Sequence, residues 1–170
     1  MTIDLLDLIT RARAAGVTIV TAESCTGGMV AAALTEIPGS SEVFDRGFVT
    51  YSNAAKTEML GVSNDILAAH GAVSPEVAEE MSLGALRNSK ATVAVSVTGI
   101  AGPGGSDHKP EGRVCFGLAR SGHQVKSETI EFGTLGRQNV RKAASDHALM
   151  LIQREISTLE TIHIGAEPNT

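Results

Sequence analysis

The stretch Thr21-Ala22-Glu23-Ser24-Cys25-Thr26-Gly27-Gly28 decides how this chain folds and where its chemistry lies. It follows an apolar, β-branched run at residues 17–20 and precedes the helix-forming run Met29-Val30-Ala31-Ala32-Ala33-Leu34. This succession predicts a strand, a tight turn made by the glycine pair, and a helix. Ser24 and Cys25 are then placed beside a helix N-terminus, where free backbone N–H groups and the helix dipole favour negative charge.

Two interpretations of this turn are open. A helix N-terminus suits a nucleophile such as Ser24 or Cys25, because it stabilises the oxyanion and lowers the pKa of a thiol. Alternatively, Ser24 or Thr26 only caps the helix, and Cys25 is a small buried residue without reactivity. Other parts of the chain must decide between these interpretations.

The composition fits one domain with a core of its own. A domain of about 170 residues buries roughly 70% of the surface of its unfolded chain. The chain is 42% hydrophobic but only 3% aromatic, so the core is predicted to consist of Val, Ile, Leu, Ala and Met. We find no internal repeat, and we predict a single domain over residues 1–160 and a loose tail over residues 161–170.

The charge pattern argues against two classes of partner. The net charge is −5 and there is no run of Lys or Arg, which disfavours binding to nucleic acid or to an anionic membrane. No stretch approaches the roughly 18 apolar residues of a transmembrane helix, and the acidic start does not resemble a signal peptide. A small-molecule ligand is therefore expected, and the sequence leaves open whether the chain is a homo-oligomer.

Cysteine usage predicts a reducing compartment, and histidine spacing bears on metal binding. Cys25 and Cys115 are the only cysteines and do not form a C-x-x-C pair, and a domain of this size needs no disulfide. The five histidines are scattered and show no metal-ligand spacing. The sequence thus predicts a cytoplasmic protein with no metal site.

Helical and strand-like patterns alternate along the chain. Helical segments begin near Leu5, Met29, Ser52, Ser74 and Gly136, and strand-like runs cover residues 17–20, 47–51, 91–98, 113–119 and 125–132. Residues 91–98 are nearly all β-branched or small, as expected for a central strand buried on both faces. The last two runs flank Ser121-Gly122-His123 and predict an antiparallel hairpin. The order predicts an α/β fold, with helices on both sides of a mixed, mostly parallel sheet.

Polar segments follow three of the predicted strands. They are the turn at Ser24, the segment from Tyr51 to Lys56, and the glycine-rich loop from Gly99 to Gly105. In such sheets, ligands bind at the carboxyl ends of the strands. We therefore expect these three segments to converge on one site.

The position of Lys56 favours the catalytic interpretation of the turn at Ser24. Lys56 falls in the first turn of its helix, where the dipole disfavours a cation, and burial between sheet and helices would further lower its pKa. A neutral amine beside the Ser24 hydroxyl is a general base. The alternative is a solvated surface lysine. Tyr51, the only tyrosine, either assists the proton transfer or ends a strand with its hydroxyl in water.

Two further features are weaker signals on their own. The loop from Gly99 to Gly105 would suit a nest of N–H groups around a phosphate, or it is an ordinary wide turn; it matches neither the Walker A nor the Rossmann pattern. Arg137 and Arg141 lie four residues apart on one helix face near its start, which suits a phosphate clamp or an exposed surface.

Four ordered motifs together carry a resemblance to a known family. The motifs are Ala22-Glu23-Ser24-Cys25-Thr26-Gly27-Gly28, Gly47-Phe48-Val49-Thr50-Tyr51-Ser52-Asn53 with Lys56, His70-Gly71-Ala72-Val73-Ser74, and Thr98-Gly99-Ile100-Ala101-Gly102-Pro103. They resemble the CinA carboxy-terminal domain family, also known as the competence- or damage-inducible family and as the nicotinamide-mononucleotide amidases. The resemblance runs from the first helix to about Ile156, as in a stand-alone form of the domain.

The resemblance implies a three-layer α/β/α sandwich and a cofactor-free hydrolysis of nicotinamide mononucleotide to nicotinic acid mononucleotide and ammonia, a step of pyridine nucleotide salvage. It implies Ser24 as the nucleophile, Lys56 as its base and Tyr51 as their partner. The residues implied in oxyanion, anion and nucleotide binding are Thr26, Gly27, Gly28, Ser52, Asn53, Thr98, Gly99, Ala101, Gly102, Pro103, Arg137 and Arg141.

The chain departs from the family pattern at two places. Lys109-Pro110-Glu111-Gly112-Arg113-Val114 stands where relatives usually read Lys-Pro-Val-Gly-Thr-Val, so two opposite charges are added near the expected pocket. Gly133-Thr134-Leu135-Gly136-Arg137 lacks the usual Gly-Asp-Arg. These departures concern substrate range more than reaction type. Glu111 and Arg113 favour one alternative, a non-catalytic or regulatory domain that binds a pyridine nucleotide. A further alternative is an amidase that uses the Cys25 thiol.

Overall fold

The computed structural model describes residues 3–106 and 108–164. Over these residues the helices are α1 (Leu5–Ala14), α2 (Met29–Thr35), α3 (Asn53–Leu60), α4 (Asn64–His70), α5 (Pro75–Arg87) and α6 (Arg137–Ile164), with one 3-10 turn at Ser40–Glu42. The strands are β1 (Ile19–Glu23), β2 (Phe44–Val49), β3 (Val93–Gly99), β4 (Arg113–Arg120) and β5 (Lys126–Glu131). No helix within this part of the chain is both long and apolar enough to cross a bilayer.

The strands form one mixed sheet in the order β2-β1-β3-β4-β5. β1 pairs in parallel with β2 and β3, whereas β4 pairs antiparallel with β3 and with β5. β4 is thus the one strand of this sheet that runs against the others. The mixed sheet and the hairpin of its last two strands are confirmed. β3 lies in the centre and is buried along most of its length, as its β-branched composition predicted.

Helices cover both faces of the sheet, which confirms the three-layer α/β/α sandwich. On one face, Leu8 of α1, Leu34 of α2 and Ile152 of α6 are fully buried in one hydrophobic cluster. On the other face, Leu60 of α3 and Met81 of α5 are buried in a second cluster. As predicted, the side chains that fill both clusters are mainly aliphatic and small, so the helices pack closely on the sheet.

Three element boundaries differ from the prediction. β1 continues past Val20 to Glu23, because its polar residues pair on both sides with β2 and β3 and are buried. β2 begins at Phe44 and ends at Val49, two residues before Tyr51. α4 is absent from the predicted elements; the Ser63 hydroxyl accepts hydrogen bonds from two N–H groups of its first turn.

The end of the chain was predicted to be a loose tail from residue 161. α6 instead continues to Ile164. Residues 165–170 lie outside the described residues.

Candidate active site

The carboxyl ends of β1, β2 and β3 lie side by side and bring the three predicted segments together. The Ser24 N–H donates to the Val97 carbonyl at 2.9 Å, and the Thr50 N–H donates to the Glu23 carbonyl at 2.9 Å. A pocket of about 220 Å³ opens at this edge. Its lining includes Ser24, Tyr51, Lys56, Thr98, Gly99 and Arg137. The expected convergence at the strand ends is confirmed.

Lys56 and Ser24 are in direct contact at the bottom of this pocket. Lys56 Nζ lies 3.1 Å from Ser24 Oγ, and it donates to the Thr50 carbonyl at 2.8 Å. The side chain of Lys56 is only 1% exposed, so the interpretation as a solvated surface lysine is wrong. The Thr50 carbonyl holds one N–H of the amine, and the amine is thereby directed at the serine hydroxyl.

The position of Lys56 explains its electrostatics. It lies in the first turn of α3, whose N-terminus is capped by the Ser52 hydroxyl through the Ala55 N–H at 3.0 Å. Burial lowers the pKa of Lys56 below the ordinary value of a lysine, because the charged form loses its hydration. A lysine with a lowered pKa holds more neutral amine near pH 7, which is the form that can accept a proton from Ser24.

Glu23, not Ser24 or Thr26, caps α2. Its carboxylate accepts hydrogen bonds from the N–H groups of Gly28 at 3.2 Å, Val30 at 2.9 Å and Ala31 at 3.0 Å. The predicted capping by Ser24 or Thr26 is therefore wrong. The prediction that helix-start N–H groups would hold an oxyanion is also wrong for these three groups, because a buried carboxylate already accepts from them.

The turn between β1 and α2 is held mostly by its own hydrogen bonds. The Gly27 N–H donates to the Ser24 carbonyl at 3.1 Å, and Gly27 and Gly28 both have positive φ angles, which explains the glycine pair. Thr26 is fully buried, and its hydroxyl has no hydrogen-bond partner among the described residues. Of the three residues predicted for oxyanion contacts, only Thr26 keeps a backbone N–H that donates to no described oxygen.

Cys25 lines the pocket beside Ser24 but is poorly suited as a nucleophile. The sequence predicted a helix N-terminus that would lower the pKa of its thiol. Burial instead raises the pKa of Cys25 to about 11, and Glu23 adds a smaller effect in the same direction. At neutral pH the side chain is a thiol rather than the nucleophilic thiolate.

Arg137 and Tyr51 form the rim of the pocket. Arg137 donates from Nη2 to the Tyr51 hydroxyl and from Nη1 to the Gly102 carbonyl, both at 2.8 Å. Tyr51 is 61% exposed, and no hydrogen bond joins its hydroxyl to Ser24 or Lys56 in the described chain. The structure therefore places Tyr51 with Arg137 at the entrance and not within the Ser24–Lys56 contact.

Arg141 lies one helical turn beyond Arg137 but does not reach the rim. It donates from Nε to the Cys25 carbonyl at 3.0 Å and from Nη2 to the Thr26 carbonyl at 3.3 Å. The guanidinium group is thus directed at the backbone of the turn between β1 and α2. The predicted pair of arginines contacts two different segments.

The loop after β3 forms one wall of the pocket. Thr98 donates from its hydroxyl to the Ala72 carbonyl at 2.8 Å, and Ala101 is buried against the pocket. Gly102 contributes its carbonyl to Arg137, and the Gly102–Pro103 peptide bond is cis. Gly99 lines the pocket, whereas Pro103 does not.

Glu111 and Arg113, the two added charges, do not line this pocket. The buried Glu111 carboxylate accepts from the Gly104 N–H at 2.7 Å and from the Gly136 N–H at 3.1 Å, and so ties the loop to the start of α6. Arg113 pairs with Glu131 of β5 at 2.6 Å. The expected effect of these charges on the pocket is indirect, through the position of the loop.

Some predicted residues lie outside the pocket, and some lining residues were not predicted. Ser52 and Asn53 are exposed at the start of α3 and serve that helix end. Ala72 and Val73 line the pocket and also line a larger neighbouring cavity of about 550 Å³, together with His70 and Lys109. Ala72 and Val73 belong to the family motif from His70 to Ser74, so this motif was the sequence feature that could have identified them as pocket residues.

Comparison with known proteins identifies the family. Residues 5–156 match the family model of the CinA C-terminal domain, and the chain belongs to this family. It is 52% identical over 144 residues to the nicotinamide-nucleotide amidohydrolase PncC of Enterobacter agglomerans, covering 84% of this chain and 87% of that protein. It is 49% identical over 145 residues to PncC of Escherichia coli K12, with the same coverage.

Longer relatives contain the same domain. The CinA-like protein of Chlorobium phaeobacteroides is 50% identical over 145 residues, which are 83% of this chain but 34% of that protein. This chain therefore spans about a third of the length of such relatives.

Solved structures share the fold over nearly their whole length. The competence/damage inducible protein CihA from Agrobacterium tumefaciens has a TM-score of 0.82 and 45% identity, covering 89% of this chain and 96% of that one. The CinA superfamily protein KP700603 from Klebsiella pneumoniae has a TM-score of 0.84 and 35% identity, covering 92% and 99%.

Proposed function

We propose that this chain is a nicotinamide-nucleotide amidohydrolase that converts nicotinamide mononucleotide to nicotinic acid mononucleotide and ammonia. The observation that carries this proposal is the 3.1 Å contact between the buried Lys56 amine and the Ser24 hydroxyl. The substrate class comes from the names of the PncC relatives, which are identical to this chain at about half of the aligned positions. The two cysteines, both free and buried, suit the reducing cytoplasm, where we place the protein.

The first half of the reaction forms an acyl-enzyme. Ser24 Oγ attacks the carboxamide carbon while its proton passes to the neutral Lys56 Nζ. The Thr50 carbonyl holds the amine in place during this transfer. When the tetrahedral intermediate collapses, the carbon–nitrogen bond breaks and the Lys56 ammonium returns the proton to the leaving amide nitrogen. Ammonia departs, and an ester joins the nicotinoyl group to Ser24.

The second half releases the acid. A water molecule enters the position left by ammonia, gives a proton to Lys56 Nζ, and attacks the ester carbon. The carbon–oxygen bond to Ser24 breaks, and Lys56 returns the proton to Oγ. One water is consumed, and one ammonia and one carboxylic acid are produced, which exchange a proton in solution to give ammonium and carboxylate, so neither a metal nor a cofactor is required to balance the reaction.

The pocket dimensions suit the reacting end of the nucleotide. Its volume of about 220 Å³ is below the roughly 300 Å³ at which typical small-molecule sites begin. We therefore place only the pyridine ring and carboxamide inside it, with the ribose phosphate outside the rim. Three of the five N–H groups of Arg137 remain for an anion, because one on each of Nη1 and Nη2 is used by Gly102 and Tyr51.

The direct test is ammonia release from nicotinamide mononucleotide by the purified chain after treatment with a chelator. We expect ammonia and nicotinic acid mononucleotide to appear in equal amounts, because each turnover breaks one amide bond. Nicotinic acid mononucleotide serves as the control substrate and should release none. A folded protein that binds the nucleotide in calorimetry without releasing ammonia would instead be the non-catalytic domain considered above.

Cys25→Ala is expected to retain most of the wild-type kcat. The thiol is protonated at neutral pH because burial raises its pKa to about 11, so it contributes no nucleophile. The variant should also resist inactivation by thiol alkylation that reaches Cys25. Steady-state ammonia release measures the effect. Loss of turnover in a variant with an unchanged melting temperature would restore the thiol mechanism.

A further inference from the structure

Three successive backbone carbonyls of the turn between β1 and α2, those of Ser24, Cys25 and Thr26, accept hydrogen bonds from within the protein. The Ser24 carbonyl accepts from the Gly27 N–H at 3.1 Å. The Cys25 carbonyl accepts from Arg141 Nε at 3.0 Å, and the Thr26 carbonyl accepts from Arg141 Nη2 at 3.3 Å and from the Met29 N–H at 3.2 Å. One planar guanidinium group therefore fixes two adjacent peptide units of the turn.

The orientation of a carbonyl also sets the direction of an N–H group. The peptide units of this turn are trans, and in a planar trans peptide the C=O and N–H bonds point in opposite directions. Because Arg141 holds the Cys25 carbonyl, the Thr26 N–H points away from Arg141. The direction of the Cys25 N–H is likewise set by the Ser24 carbonyl, which accepts from the Gly27 N–H.

These two N–H groups are the donors that remain beside the nucleophile. In residues 3–106 and 108–164, neither the Cys25 nor the Thr26 N–H donates to an oxygen, whereas those of Gly27 and Gly28 do. An oxyanion that forms on the carbon attacked by Ser24 needs such donors within hydrogen-bond reach.

We propose that Arg141 is a positioning residue, which acts by orienting the peptide unit between Cys25 and Thr26, whose Thr26 N–H stabilises the oxyanion. The role rests on the proposed amidase function of Ser24. It differs from the phosphate clamp suggested by the spacing of the two arginines, because the Nε and Nη2 groups of Arg141 are directed at the turn. The guanidinium also polarises the Cys25–Thr26 amide, and an amide whose carbonyl accepts a charged hydrogen bond is a stronger N–H donor.

Arg141→Met is the variant that tests this role. We expect kcat for nicotinamide mononucleotide to fall by about 10²-fold, the loss typical of a disturbed oxyanion hole, with KM little changed. Arg154→Met, a replacement of an exposed arginine on the same helix, is the matched control and should behave like the wild type. If Arg141→Met does not fold, Arg141→Lys replaces it; a lysine keeps the charge but cannot bind both carbonyls as a fork, so its kcat should also fall.

Two kinetic outcomes would overturn the proposal. If kcat stays unchanged in a folded variant, the turn does not need Arg141. If KM for nicotinamide mononucleotide rises while turnover of nicotinamide riboside, which lacks the phosphate, is unaffected, Arg141 binds phosphate instead.

Binding of a boronic acid tests the role of Arg141 independently of which substrate the enzyme hydrolyses. Pyridine-3-boronic acid can accept the Ser24 oxygen at boron while the serine proton passes to Lys56, giving a tetrahedral anion that resembles the intermediate. Its dissociation constant should rise in Arg141→Met by about the factor by which kcat falls, since both depend on the oxyanion donors. If the wild type releases no ammonia yet binds the boronate in an Arg141-dependent way, only the substrate assignment fails. Equal boronate affinity in wild type and variant would overturn the role of Arg141.

Discussion

Ser24→Ala is expected to abolish ammonia release while the fold and nucleotide binding are retained. Loss of a serine nucleophile can reduce kcat by a factor on the order of 10⁶, because the remaining groups have no covalent route to the product. The substitution removes one small hydroxyl whose hydrogen bond is to Lys56, so no large cavity is created. Ammonia release measures kcat, and calorimetry with nicotinamide mononucleotide measures binding.

The control for this experiment is a serine outside the pocket. Ser157 of α6 does not line the pocket, and its hydroxyl accepts a hydrogen bond from Arg11 Nη2 at 2.9 Å, so Ser157→Ala should keep the wild-type kcat. Comparable turnover in Ser24→Ala and wild type would show that Ser24 is not the nucleophile. A burst of ammonia in the wild type that equals the enzyme concentration, absent from Ser24→Ala, would add direct support for the acyl-enzyme.

Lys56→Met is expected to lower kcat by about 10²- to 10⁴-fold, the contribution of a general base. Methionine has a similar length but cannot accept the Ser24 proton or bind the Thr50 carbonyl. In the wild type, kcat should rise with pH as Lys56 loses its proton, with a midpoint below the ordinary pKa of lysine because burial lowers it. This limb of the pH profile should be absent from Lys56→Met.

The lowered pKa of Lys56 should also make the free energy of unfolding depend on pH. Between the lowered pKa of folded Lys56 and the ordinary lysine pKa, the unfolded chain binds a proton that the folded chain does not. The free energy of unfolding should therefore increase as pH rises through this window, and Lys56→Met should lack this increase. Urea unfolding at several pH values measures it.

Lys142→Met is the matched control for Lys56. Lys142 is exposed and pairs with Asp146 at 2.7 Å, so its replacement should alter neither the pH profile nor kcat. A normal kcat in Lys56→Met would disprove the lysine base and would move the role to another group of the pocket.

The sequence predicted the elements of the site because short runs of neighbouring residues define them. An apolar run followed by Ser24 and two glycines defines a strand end and a turn, and Ser52 four residues before Lys56 places the lysine in the first turn of a helix. Since parallel strands end at the same edge, convergence of these segments followed from topology.

The contacts that the sequence did not predict depend on the three-dimensional path of the chain or involve backbone groups. The Glu23 carboxylate reaches the start of α2 only because the turn folds back over it. The roles of Arg141 and Glu111 require the position of α6 relative to the turn and the loop, which no local pattern encodes. The Thr50 carbonyl is a backbone group, so no residue type indicates its role.

The contact between Arg141 and Cys25 joins residues 116 positions apart. A ribosome makes Ser24, Lys56 and the loop after β3 well before α6, and domains fold as the chain emerges. On our proposal, a nascent chain that already holds Ser24 and Lys56 still lacks the group that orients its oxyanion donors. Full activity would then begin only when synthesis has passed the first turns of the last helix.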